Sequence, residues 1–388
     1  MPTTRAQEKH FNDTTSDQID PKPSAKRQVS QNAPDELPKK KTKAREIPRE
    51  EEYSESSDHS QTDFRPEVGT IERGHIYFFY RNKVQKEQAK SIDDVKNFHI
   101  LLVPRPPEFA VHDDNHPLKN ETESSSDMKL LELGADAIPA PAEFTHKKKY
   151  RLITVGKKKL PDPEHGGPGK GPKEAFWATV TSVGEDLDQL EKGLGEKNYE
   201  TKTRGSSHEE PARLVGRGAY AIVNNDPPVP SKRETHLGYH LSHPSPSEIG
   251  EVQTSLGIQT ASSFIVQVKN PSAPNTGQGF SAGKGADYPE WIMDKVFGRN
   301  GQKGRESYGL RFASCETTRL LDFEGAQLLL VAARGDEEGL ERSLGDGRGN
   351  ALTKIENEER SHTVDSVFKE LNLDRNAFTA KPINGEWI

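Results

Sequence analysis

Residues 198–218, NYETKTRGSSHEEPARLVGRG, gather the densest set of side chains that could hold an anion. Lys202, Arg204, Arg213 and Arg217 supply cations, Ser206 and Ser207 hydroxyls, and His208 a group that titrates near neutral pH. Glycines between them leave amides free to turn toward a phosphate or carboxylate, the composition of an anion clamp. In such a clamp His208 or His240 would be the proton carrier. The same pattern predicts a loop up to Gly218 and a strand only over Tyr220–Val223.

His236, His240 and His243 in ETHLGYHLSHP invite a metal reading, since positions i and i+4 share a helix face. Gly238 and the alternation of Leu237, Tyr239 and Leu241 predict a strand instead, which sets His243 on the face opposite the other two. No fourth ligand is apparent. His112, Asp113, Asp114 and His116 have ligand types at close spacing, but they lie in a polar stretch with nothing rigid behind them. No metal and no cofactor is therefore expected. Cys315, the sole cysteine, excludes an intramolecular disulfide and reads as a buried thiol within LRFASCE. HGGPGKGPK, FSAGKGAD and GDGRGN miss the spacing of phosphate loops, and the chain has no G-x-S-x-G, paired Cys or H-E-x-x-H.

The elements that must position these residues are mainly strands. His75–Tyr80 and His99–Val103 open the pattern, joined by a polar segment able to make a helical turn. YRLITV, AFWATVTSV, SSFIVQVKNP, SYGLRFASCE and GAQLLLVAAR continue it. Helices are expected at Leu187–Leu194, after Ser245 with Glu248 closing a capping box, within DYPEWIMDKVFG, and within HTVDSVFKELNL. The acidic, glycine-rich stretch before HTVDSVFKELNL reads as connection, and Trp387 is expected to tuck back onto the body. The resulting expectation is a β-rich α+β fold: a curved, largely antiparallel sheet with short peripheral helices. It is placed in one domain over residues 68–388, interrupted by a polar, disordered insertion near 106–147.

Residues 1–67 differ in kind. Apolar residues are too few there to offset the cost of ordering the backbone, so a disordered tail is expected. Its charges are segregated: Lys26 and Arg27, then Lys39, Lys40, Lys41 and Lys43 behind Pro38, followed by an acidic serine-rich block. Two lysine clusters on an extended chain are what a nuclear import receptor grips, so a nuclear location is expected, with the cytoplasm as the alternative. The net charge of −7 argues against direct DNA binding. No apolar run reaches the length of a membrane helix, so no membrane partner is expected.

At IERGHIYFFYRNKV, YRLITVGKKKLPDP, LGEKNYETKTRG, RETHLGYHLSHP and SYGLRFAS the chain resembles a family of uncharacterised fungal proteins often labelled "BTB domain transcription factor". The resemblance spans roughly residues 70–388 and implies a fungal origin and a role in the nucleus, associated with transcription. It brings no catalytic motif. Two functions stand side by side: a nuclear, non-enzymatic binding or scaffold protein with a protein partner, and an enzyme or sensor that binds a small anion at the Lys202–Arg217 loop.

Overall fold

Along the first strand Ile76, Phe78 and Tyr80 alternate with His75, Tyr77 and Phe79, and a strand turns the two sets to opposite faces. All six are fully buried, so this strand is covered on both sides. The reason is a closed barrel with helices packed outside it. The computed structural model describes residues 67–106, 133–140, 149–165, 171–201, 205–229, 232–274, 285–298 and 309–388. In chain order its elements are β1 Gly69–Asn82, β2 Val95–Pro104, β3 Tyr150–Val155, β4 Ala175–Gly184, α1 Leu190–Leu194, β5 Lys197–Thr201 and β6 Gly205–Glu209. There follow β7 Arg213–Asn224, β8 Thr235–His243, α2 Glu251–Ser255, β9 Ala261–Lys269, α3 Glu290–Lys295 and β10 Phe312–Ser314. The last are β11 Gln327–Gly335, α4 Asp336–Leu344, α5 Arg348–Glu359 and α6 Val364–Glu370.

Eight antiparallel strands close in the order β9-β11-β4-β3-β2-β1-β7-β8, because β9 pairs with β11 on one edge and with β8 on the other. Short β10 extends the second edge of β9 beyond β8. The expected curved sheet thus curls fully and abolishes its edges. The inward set fills the barrel: Phe78 stacks on Phe98 with centroids 6.1 Å apart, and Tyr239 meets Phe78 edge-on at 5.2 Å. A cavity of about 20 Å³ remains among Leu102, Ile222, Val266 and Leu328, lined by apolar side chains. That is room for about one water and no polar partner for it, so the interior is a packed core rather than a cup.

One charged group sits inside this core. Arg151 of β3 donates to Glu72 (2.5 Å) and through Nε and Nη2 to Asp322 (2.9 and 2.7 Å), while the Tyr220 hydroxyl donates to Glu72 at 2.7 Å. Cys315 is buried beside it, and burial pushes its thiol up to about 12, which leaves it inert.

Outside, α4 and α5 occupy the stretch expected to be connection. Leu340, Leu344 and Leu352 recur at helical spacing and cover Ala219, Ala221 and Val223 of β7. Two glycines let these helices approach closely. A Cβ on Gly238 would stand 2.6 Å from Leu340, and one on Gly349 2.5 Å from the backbone of Glu341. Three further expectations are corrected. Residues before Tyr220 are not loop: β5 and β6 form a hairpin and β7 begins at Arg213, since every residue of β7 is buried and all but the bulged Val215 pair with a neighbouring strand. The segment after Ser245 starts as a 3-10 turn, Pro246–Glu248, with the capping box in place, and becomes helix only at α2. Within the 106–147 insertion, Leu133–Ala140 is ordered against the body by Asp136, which accepts from Thr70 (2.7 Å) and Arg348 (2.7 Å). Trp387 does tuck back, edge-on to Tyr80 at 5.4 Å. The described residues, 67 to 388, cluster as one unit. No helix among the described residues is long and apolar enough to cross a membrane.

Candidate functional site

The outward faces of β1, β7 and β8 carry polar side chains where helices cover them. Strand register sets these side chains in rows: Tyr77 lies beside Arg217 and Arg217 beside His243, while His75 lies beside Ala219 and Ala219 beside His240. A bulge between Arg217 and Gly218 is matched by the extra residue Ser242 on β8, and this returns His243 to the same face as His236 and His240. The expectation that His243 faces the other way is therefore wrong: a strand alternates only while its register holds. The three histidines do not converge. His236 lies 3.5 Å from Glu234, His240 lies 3.2 Å from Glu337, and His243 donates from Nε2 to the His362 carbonyl at 2.8 Å.

Helices bring acids to this face. On α5, Leu352, Glu356 and Glu359 share one side at helical spacing, and α6 adds Glu370. Arg217 stands in the middle. Its Nη1 donates to Ser242 (2.9 Å) and to Glu359, its Nη2 lies 3.3 and 3.4 Å from the two oxygens of Glu370, and Glu356 is 3.5 Å from Nη1. The Tyr77 hydroxyl donates to Glu370 at 2.8 Å. Arg217 and Glu356 are 1% and 0% exposed, so the cluster is dry except toward Glu359 and Glu370.

The cluster is unfinished. Neither carboxylate oxygen of Glu356, neither ring nitrogen of His75 and not the Arg217 Nε makes a hydrogen bond. His75 Nε2 comes no nearer to Glu359 than 3.5 Å. Burial pushes Glu356 up to about 8 although Arg217 pulls the other way. Burial also acts on Glu359, but His75 and Arg217 outweigh it and hold that carboxyl down to about 2. Burial, reinforced by Arg217, lowers His75, which keeps the ring neutral. Arg217 itself is held protonated: burial opposes its charge, and Glu356, Tyr77, Glu370 and Glu359 more than restore it. One donor atom each from His75, Glu356 and Glu359 lies within 4.8 Å of the others, close enough for small side-chain shifts to bring all three onto one metal ion.

The described residues of the anion clamp read from the sequence, His208, Arg213 and Arg217, do not converge. His208 lies exposed on β6 between acceptors, 2.8 Å from Asn198 and 2.9 Å from Glu210. Arg213 is buried and donates to the Glu87 carbonyl. It pairs with Tyr80 of the barrel interior, whereas Arg217 pairs with outward Tyr77, so the two arginines occupy opposite faces of β7. Lys202 and Arg204 lie outside the described residues, as do the import clusters Lys26, Arg27, Lys39, Lys40, Lys41 and Lys43 and the His112–His116 group. Among the described residues of the clamp only Arg217 joins the buried cluster. Its partners His75, Tyr77, Glu356, Glu359 and Glu370 escaped the sequence reading, and the one signal for them was the unread spacing of Leu340, Leu344 and Leu352. No family model, no curated protein and no solved structure matches the chain.

Proposed function

We propose that this chain is a nuclear, non-enzymatic binding protein that engages a protein partner through its outer surface, carried to the nucleus by the lysine clusters of its first 66 residues. The observation that carries the reading is the filled barrel: the cavity in its interior is about 20 Å³, too small for any metabolite, and Arg213 and Arg217 of the expected clamp are spent on internal contacts. A rigid closed barrel presents surface rather than a pocket, which suits a partner larger than a metabolite. The resemblance to fungal proteins labelled as transcription factors points the same way.

Two measurements on the full chain test this. Fluorescently tagged protein should concentrate in the nucleus, and Lys26→Ala/Arg27→Ala combined with Ala at Lys39, Lys40, Lys41 and Lys43 should spread it through the cell. Nuclear retention by that variant would break the delivery half of the reading. A thermal-shift screen with anionic metabolites should leave the melting temperature unmoved. A rise of several degrees with one metabolite would favour a small-anion enzyme or sensor instead.

A further inference from the structure

The unfinished cluster under α5 asks for a partner that the protein does not supply. His75 and Glu356 are wholly buried, and their four side-chain donor and acceptor atoms have no hydrogen bond. Leaving such groups dry and unpaired is costly, and natural cores avoid it unless something occupies the gap. Charge points in the same direction. Glu356, Glu359 and Glu370 face a single guanidinium, Arg217, with His75 neutral. Once an ion displaces any proton on Glu356, the three carboxylates leave two negative charges in surplus over Arg217, and one divalent cation balances them.

We propose that His75, Glu356 and Glu359 bind one first-row divalent cation, with zinc the best fit. An imidazole nitrogen and two carboxylate oxygens within 4.8 Å of one another form a mixed N/O set of the kind zinc accepts, with a fourth position left for water. Magnesium and calcium fit poorly, because both prefer more oxygen ligands than this site offers. Arg217 keeps its place beside the cation through Ser242 and Glu370, which the ion does not need. The way in runs past Glu359, whose side chain is 13% exposed against 1% for His75. Glu356 and Glu359 sit one helical turn apart on α5, so loading the site pins that helix to β1 and would make the α4–α5 surface cation-dependent.

The test uses the full chain stripped with EDTA and titrated with zinc chloride, read by calorimetry and by thermal melting. Because the chain has 13 histidines, specificity is read from variants. The wild type should take up one zinc per chain saturably and melt several degrees higher, with no response to magnesium. His75→Gln and Glu356→Gln should each weaken binding at least tenfold and lose the rise in melting temperature, while His208→Gln keeps both. Should either of the buried variants fail to fold by circular dichroism, Glu359→Gln at the exposed end of the site takes its place. Wild-type protein without saturable zinc uptake overturns the proposal, and so does a folded His75, Glu356 or Glu359 variant that binds as tightly as the wild type.

Discussion

The molecule buries two arginines among carboxylates, one inside the barrel wall and one outside it, and they are finished differently. Around Arg151 each charged group has its hydrogen bonds: Glu72 takes Arg151 and Tyr220, and Asp322 takes two donors from the same guanidinium. Around Arg217 the acids outnumber the cation by three to one, and Glu356 and His75 are left with bare polar atoms. Each arginine and its innermost carboxylate are 4% exposed or less, so depth does not explain the difference. A complete buried ion-pair network holds a fold together; an incomplete one at equal depth holds a place for something else.

The sharpest way to break this comparison is to remove each arginine. Arg151→Met and Arg217→Met should each cost about 3–5 kcal/mol in EDTA, since either leaves carboxylates buried without their cation. Urea denaturation measures both. Zinc should restore part of the loss in Arg217→Met, where it can replace the missing charge, and none in Arg151→Met. Equal zinc responses would erase the distinction.

Titration gives the next largest effect. Glu356 holds its proton up to about 8 in the fold against 4.5 in the unfolded chain, so its contribution is complete below pH 4.5 and is lost as pH rises toward 8. Glu359 has the opposite sign, being lowered to about 2: its contribution is complete above pH 4.5 and drains as pH falls to about 2. In EDTA, urea midpoints should therefore decline between pH 5 and 8 by up to about 1.4 kcal/mol per unit, and Glu356→Gln should flatten that decline. A slope unchanged in the variant would mean the proton resides elsewhere.

Single hydroxyls compare the two clusters more finely. Tyr220→Phe should cost about 1.5–3 kcal/mol by taking a donor from Glu72, and Tyr77→Phe less, because Glu370 still has Arg217 at hand. The smallest effect belongs to the hairpin that carries His208 of the expected clamp. His208→Ala, on an exposed hairpin, should move stability by no more than about 0.5 kcal/mol.

Most strands were legible in the sequence, because alternation such as that of Ile76, Phe78 and Tyr80 against His75, Tyr77 and Phe79 states which residues share a face. Closure was not: that β9 pairs with β8 as well as β11 is a fact about two edges meeting, and no local pattern encodes it. Helices α4 and α5 were missed because Gly339, Gly345, Gly347 and Gly349 lower helix propensity there by about 1 kcal/mol each. At least one of those glycines is required by the packing that stabilises the pair. Losing these helices lost the site, since Glu356 and Glu359 meet His75 only after β1 and α5, from opposite ends of the body, are brought together. The bulge at Ser242 hid the rest by moving His243 across the strand.

The claim that the outer cluster is built around a cation is tested most directly by crystals of the full chain grown with zinc and measured on both sides of the zinc absorption edge. An anomalous peak between His75, Glu356 and Glu359 is the predicted result. A difference map with no peak there, and with Arg217 or ordered water bonded to both oxygens of Glu356, would contradict it.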